Sequence, residues 1–263
     1  MGAGLLTPAR VPDRRSPDLL YHRVICHLES SSDRPPTMDH GEPAQVIDRV
    51  TGQSAAEVSE RARLGDEARS LLAEGMTSRQ YLDQLIERQL HTDAVQFLAH
   101  ALPKREAVWW ACLCIAERLG PDPSPAATVA LEAARAWVID PEDENRRATF
   151  PAAEAADIGT PPGCTAAAAY FSGGSLAPAH LDPVAPAEHL TAHLVASALT
   201  LAAVIQEPAK AAEKHAAFLH IGLEVASGQH AWPEALEERE TIEIPGPQKE
   251  GRAADGYARS ARR

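Results

Sequence analysis

Aromatic residues are scarce in this chain of 263 residues: Trp, Tyr and Phe together make up 5%, four of each. The apolar content of 44% is carried instead by Ala, Leu and Val. β-Sandwich cores rely on aromatic and β-branched side chains, so this composition favours helices packed closely through small residues. Cysteine is also sparse, at four residues (Cys26, Cys112, Cys114, Cys164), with no spacing that frames a disulfide scaffold. Cys112 and Cys114 stand about 200° apart on a helix, which suits neither a metal pair nor a disulfide. Buried free thiols in a reducing compartment are the reading that fits. Long apolar runs are missing too. The longest uncharged helical stretch, Leu194 to Gln206, is shorter than the roughly 20 residues that a bilayer span needs. Arg14-Arg15 invites a twin-arginine signal, but Pro17, Asp18, His22 and Arg23 occupy the place of its apolar region. A cytoplasmic protein is expected.

Positive charge is deficient where it would matter for phosphates. The net charge is −12, and residues 38–245 hold 15 basic against 31 acidic groups, a balance of −16. A body that acidic repels a nucleic-acid backbone, whose binding rests on Lys and Arg. No nucleic acid and no membrane are expected as partners. The basic end, 246–263, reads as a solvated tail.

Residues 1–37 contain Pro8, Pro12, Pro17, Pro35 and Pro36, several arginines and no sustained helical period. They read either as a disordered leader or as a mis-assigned upstream extension. Met38 opens an ordinary acidic N-terminus and is the second candidate start besides Met1. From Ala44 to His230 helical signals are dense and strand signals nearly absent. Ser54 can cap a long polar helix reaching Gly75, and Thr77-Ser78-Arg79-Gln80 is a capping-box pattern. Thr92 or Asp93 caps the next helix. Pro103 begins another, whose centre from Ala107 to Ala116 carries no charge on any face and is therefore expected in the middle of the core. Ser124-Pro125 caps a further helix, and Asp140-Pro141 starts one with acids first and Arg146-Arg147 next, as the helix dipole favours. Helices from Pro186 to Gln206 and from Pro208 to Gly228 complete the series.

The expected fold is all-α: an irregular bundle or stack of about eight to ten helices with a disordered N-terminal leader and C-terminal tail. Its parts are the leader 1–37, a helical lobe 38–157 built on the core helix 103–119, a Gly/Pro-rich connector 158–186, a C-terminal helical pair 187–232 and a tail 233–263.

Three phrases carry a family likeness: L-A-H-A-L-P-K-R-E-A-V-W-W-A-C at 98–112, the run from Ala136 to Arg147 ending D-P-E-D-E-N-R-R, and F-S-G-G-S-L-A-P at 171–178. On these the chain resembles an uncharacterised family of bacterial helical proteins, a domain of unknown function, over roughly residues 60–230. The resemblance implies a bacterial helical protein and no established activity, ligand or catalytic residue.

Of the eleven histidines, six lie after residue 179 (His180, His189, His193, His215, His220, His230). H-L-T-A-H puts His189 and His193 on one helix face, the spacing at which two imidazoles share a divalent metal. Glu188, Asp182 and Glu213 are candidate oxygen ligands. The zincin signature needs Glu where Leu190 stands, and the inverted motif needs His where Ala185 stands. Surface histidines near a helix N-terminus are the competing reading. Trp109-Trp110 suits core packing better than a ligand platform. Arg146-Arg147 suits helical ion pairing with Glu142 to Glu144 better than anion capture. Ser172-Gly173-Gly174-Ser175 lacks the strand before and the Lys after that a phosphate loop requires. With no nucleophile constellation, the expected function is a non-catalytic interaction or adaptor module that binds another protein and needs no cofactor. The alternative is a metal-binding protein or metal-dependent enzyme using His189 and His193.

Overall fold

The computed structural model describes residue 50, residues 54–178 and residues 180–232. The expected leader (1–37), the start at Met38, the tail (233–263) and Cys26 lie outside the described residues. Within them the protein is all-α, with ten α-helices, one 3₁₀ turn and no strand. Among these residues no helix is long and apolar enough to cross a membrane.

The first helix, α1 (Ala55–Arg61), opens with a full capping box: the Glu57 amide donates to the Ser54 hydroxyl, and the Ser54 amide donates to the Glu57 carboxylate. The long polar helix expected to run on to Gly75 is broken. The chain is extended at Ala62, re-enters a short helix α2 (Asp66–Ser70), and buries Ala62 and Leu64 between the two. A tertiary bond holds the break, because the Gly65 amide donates to the Asp93 carboxylate at 2.7 Å. Helical periodicity alone carries no trace of a partner 28 residues away.

The second capping box, on Thr77 and Gln80, starts α3 (Ser78–Glu87). That helix ends in a Schellman turn with Gln89 in the left-handed region (φ 59°), where the Leu90 amide reaches the Leu85 carbonyl. The following helix, α4 (His91–Ala101), therefore begins at once, and neither Thr92 nor Asp93 caps it as expected. Asp93 is spent on Gly65 instead.

Helix α5 (Lys104–Ala116) is the middle of the core, with every residue from 106 to 115 buried. Its two tryptophans point to different neighbours. The Trp110 indole donates to the Phe218 carbonyl at 2.7 Å, and the Trp109 indole to the His230 carbonyl at 2.9 Å. Ahead of them, Arg105 caps the end of α6 (Pro125–Ile139) by donating to the Val138 and Ile139 carbonyls. Ser124 caps α6 at its start, with proline at the first helical position.

Helix α7 (Asp143–Ala155) leads into the segment 158–186, whose centre is α8 (Pro161–Tyr170). Residues 162 to 169 of α8 are all buried. Small side chains make this possible: Ala166 and Ala167 cluster with Ala130 of α6 and Ala153 of α7, and Ile158, Phe171 and Leu194 pack against the cluster. α8 also packs on α5 and on α9 (Leu190–Val204). The 3₁₀ turn Pro208–Lys210 then leads to α10 (Ala211–Ala226), which lies against α4, α5 and α9.

Candidate functional site

The break between α1 and α2 has a consequence for charge. It carries Arg61, Arg63 and Arg69 to the start of α9, where with Glu60, Ala62, His189 and His193 they line an open cleft of about 430 Å³. His189 is the residue at which α9 begins, and His193 sits one turn later. Three arginines thus face the positive end of a 15-residue helix whose first turn holds no acid. On a body with a net charge of −16 over residues 38–245, this is a local reversal of sign.

The two histidines singled out by their spacing do stand together. Their ring centroids are 5.0 Å apart with an interplanar angle of 64°. A third imidazole, which spacing along the chain did not reveal, continues the row. His100 of α4 lies edge to face with His193, again with centroids 5.0 Å apart, at 84°. The row descends from solvent into the core: His189 is exposed, His193 half-buried and His100 only 7% exposed. The one sequence sign of His100 is its place in the otherwise apolar end of α4, among Phe97, Leu98, Ala99 and Ala101.

Geometry fixes one tautomer. His193 Nδ1 lies 3.1 Å from the His189 carbonyl oxygen, which only accepts, so Nδ1 carries the hydrogen and Nε2 keeps its lone pair. His100 Nε2 is buried with no hydrogen-bond partner. Burial drives the His100 imidazole down to about 4, and His193, Arg61 and His189 push in the same direction. Burial also lowers His193, helped by Arg63 and His189 and opposed by the hydrogen bond to the His189 carbonyl. Both shifts favour the neutral ring at pH 7, and three arginines line the cleft beside them.

Among the described residues no group of three His, Cys, Asp or Glu side chains is placed to hold a metal ion. The candidate oxygen ligands Asp182, Glu188 and Glu213 do not line the cleft, and of the other late histidines His220 and His230 share Glu224. Arg146 and Arg147 are occupied elsewhere. Both pair with Asp143, and they also donate to the carbonyls of Tyr170, Ser175 and Ala177, which fastens the Gly-rich loop onto α7.

Residues 81–226 match the model of a family of unknown function, DUF6931. The chain belongs to this family. No curated protein and no solved structure matches the chain. The three phrases that carried the likeness, at 98–112, 136–147 and 171–178, all fall inside the DUF6931 segment. So do His100, His189 and His193, whereas Arg61, Arg63 and Arg69 precede it.

Proposed function

We propose that this DUF6931 protein is a non-catalytic interaction module that seats an acidic segment of another protein in the arginine–histidine cleft. The observation that carries the reading is the gathering of Arg61, Arg63 and Arg69 about the start of α9 on an otherwise acidic body. Guanidinium groups recognise carboxylates in two-point geometry, and like-charge repulsion from the rest of the surface rejects other acidic docking positions. The cleft lining holds no hydroxyl or thiol beside the imidazoles, which supports binding over nucleophilic catalysis. The same acidity argues against a nucleic-acid partner. A bacterial cytoplasm suits the free, buried thiols of Cys112, Cys114 and Cys164.

The test is fluorescence anisotropy of a short labelled polyglutamate peptide against the full chain. Saturable binding that weakens with salt and falls at least tenfold in Arg63→Glu/Arg69→Glu is expected. A polylysine peptide binding as well, or a double variant binding polyglutamate as tightly as wild type, overturns the reading.

One specific observation favours a second reading, a divalent metal held at His189 and His193. The His193 Nδ1–H is tied to a carbonyl and its Nε2 is left with a lone pair, the arrangement that orients metal-ligating imidazoles. Metal analysis of tag-free protein decides it. About one equivalent of zinc that is lost in His193→Ala supports this reading, and metal-free wild type ends it.

A further inference from the structure

Away from the arginine–histidine cleft, a second cavity of about 170 Å³ opens where the ends of α5 and α9 meet the starts of α8 and α10. Its walls are mixed: Ile115, Leu119, Pro161, Pro162, Ala202 and Ile205 form the apolar part, and Arg118, Gln206, Glu207 and Lys214 the polar part. Ile205 keeps 45% of its surface exposed at the mouth. The chain there is held in an unusual conformation, with Gln206 in the left-handed region at φ 58°.

Into this space α10 sends a lysine. Lys214 is 7% exposed, and its Nζ donates to the Ile205 carbonyl at 3.1 Å. An ammonium has three N–H donors, and a buried one is costly unless charge and hydrogen bonds compensate it. The carboxylate that lines the same cavity, Glu207, is engaged by Lys210 at 2.7 Å and stands out in solvent. The other cation of the lining, Arg118, lies over the Phe218 ring at 5.6 Å. The cavity therefore combines a partly apolar wall, an embedded ammonium bonded to one carbonyl, and a carboxylate, Glu207, that is hydrogen-bonded to Lys210 and not to that ammonium.

We propose that this cavity is a binding site for a short-chain aliphatic monocarboxylate, its carboxylate on Lys214 and its tail against Ile115, Leu119 and Ala202. The size fits: a closed apolar cavity of about 150 Å³ takes a six-carbon ring, so a chain of about six carbons is of the right order. Charge fits as well: Glu207 acts on the buried ammonium without a direct ion pair, being bonded to Lys210, so a ligand carboxylate would supply the hydrogen-bonded counter-ion. Arg118 and Lys214 outnumber Glu207 in the lining, which disfavours cationic ligands. The site stands apart from the docking cleft, so either can fail without the other.

The experiment is an amide chemical-shift titration of the full chain with hexanoate, with 1-hexanol and hexylamine in parallel. Saturable shifts at residues around 115–119, 202–206 and 214 are expected, with hexanol at least tenfold weaker and hexylamine inert. Lys214→Met preserves the aliphatic stem and should weaken hexanoate at least tenfold while leaving hexanol unchanged. Should that variant unfold, Ile205→Trp at the exposed mouth blocks entry without touching the ammonium and should abolish the shifts. Equal shifts with hexanoate and hexanol, hexanoate binding undiminished in both variants, or shifts confined to other residues overturn the proposal.

Discussion

Trp110 occupies the space that a side chain on Gly222 would need. A Cβ at Gly222 would fall 2.7 Å from Trp110 Cε2 and 2.7 Å from Leu98 Cδ2, so α10 lies against α4 and α5 only because residue 222 has none. The same contact lets the Trp110 indole reach the Phe218 carbonyl one turn earlier.

Gly222→Ala sets two effects against each other. Alanine is favoured over glycine within a helix by about 1 kcal/mol. Overpacking a filled core costs about 1–3 kcal/mol, and here an indole ring must move as well as a leucine methyl. Packing should win, with a net loss of up to about 2 kcal/mol in urea unfolding. A variant more stable than wild type would show that the contact is loose.

Arg146 is buried in α7 and makes bonds to Asp143, Tyr170 and Ser175 that hold the loop after α8. Arg146→Met keeps much of the volume and leaves the Tyr170 carbonyl without this donor. A loss of about 2–3 kcal/mol is expected, with faster amide exchange at Leu176. Arg147→Met, from a position about one-third exposed, should cost under about 1 kcal/mol because Arg146 still serves the Ser175 carbonyl. Equal losses from the two would contradict the difference in burial.

The row of histidines makes stability depend on pH. An imidazole titrates near 6.5 in an unfolded chain, and His100 titrates at about 4 in the fold. Between those values the unfolded state takes up the proton and the folded state does not. The neutral His100 ring therefore contributes its full stability above about pH 6.5, and that contribution is lost as the pH falls towards 4. Its size is on the order of 2 kcal/mol. His193 and His215 are also lowered, mainly by burial, and add to the same slope. Urea midpoints at pH 7.5, 6 and 5 should fall steadily in wild type and less steeply in His100→Leu, which charges nothing. A parallel slope in the variant would remove His100 from the account.

The thiols should be inert. Burial pushes Cys112 up to about 12 and Cys164 up to about 11, and drives Cys114 upward as well. In a Cys26→Ser background, Ellman's reagent at pH 8 should label none of the three within minutes in buffer and all of them in guanidinium chloride. Prompt labelling of any one in buffer would mean that its surroundings open readily.

Features governed by neighbouring residues were legible from the chain alone. Ser54, Thr77 and Ser124 cap helices because a hydroxyl and an amide two or three residues on need only local geometry. The uncharged centre of α5 identified itself as core because a helix without a polar face has nowhere to meet water. Scarce aromatics, abundant alanine and the absence of strand periodicity were enough for the helical class.

Contacts between distant residues decided the rest. The break at Ala62–Gly65 depends on Asp93, the placement of Arg63 and Arg69 depends on that break, and the third imidazole of the row arrives from α4. His189 and His193 stand together at the start of α9, but the arginines that line the cleft with them lie more than a hundred residues earlier in the chain. Lys214 reads as an ordinary surface lysine beside Glu213, and only the turn at Gln206 and the meeting of four helix ends enclose it. Local free energies set where helices start and what they are made of. Which faces meet, and which charges are carried inside, is settled by packing over separations that no local pattern records.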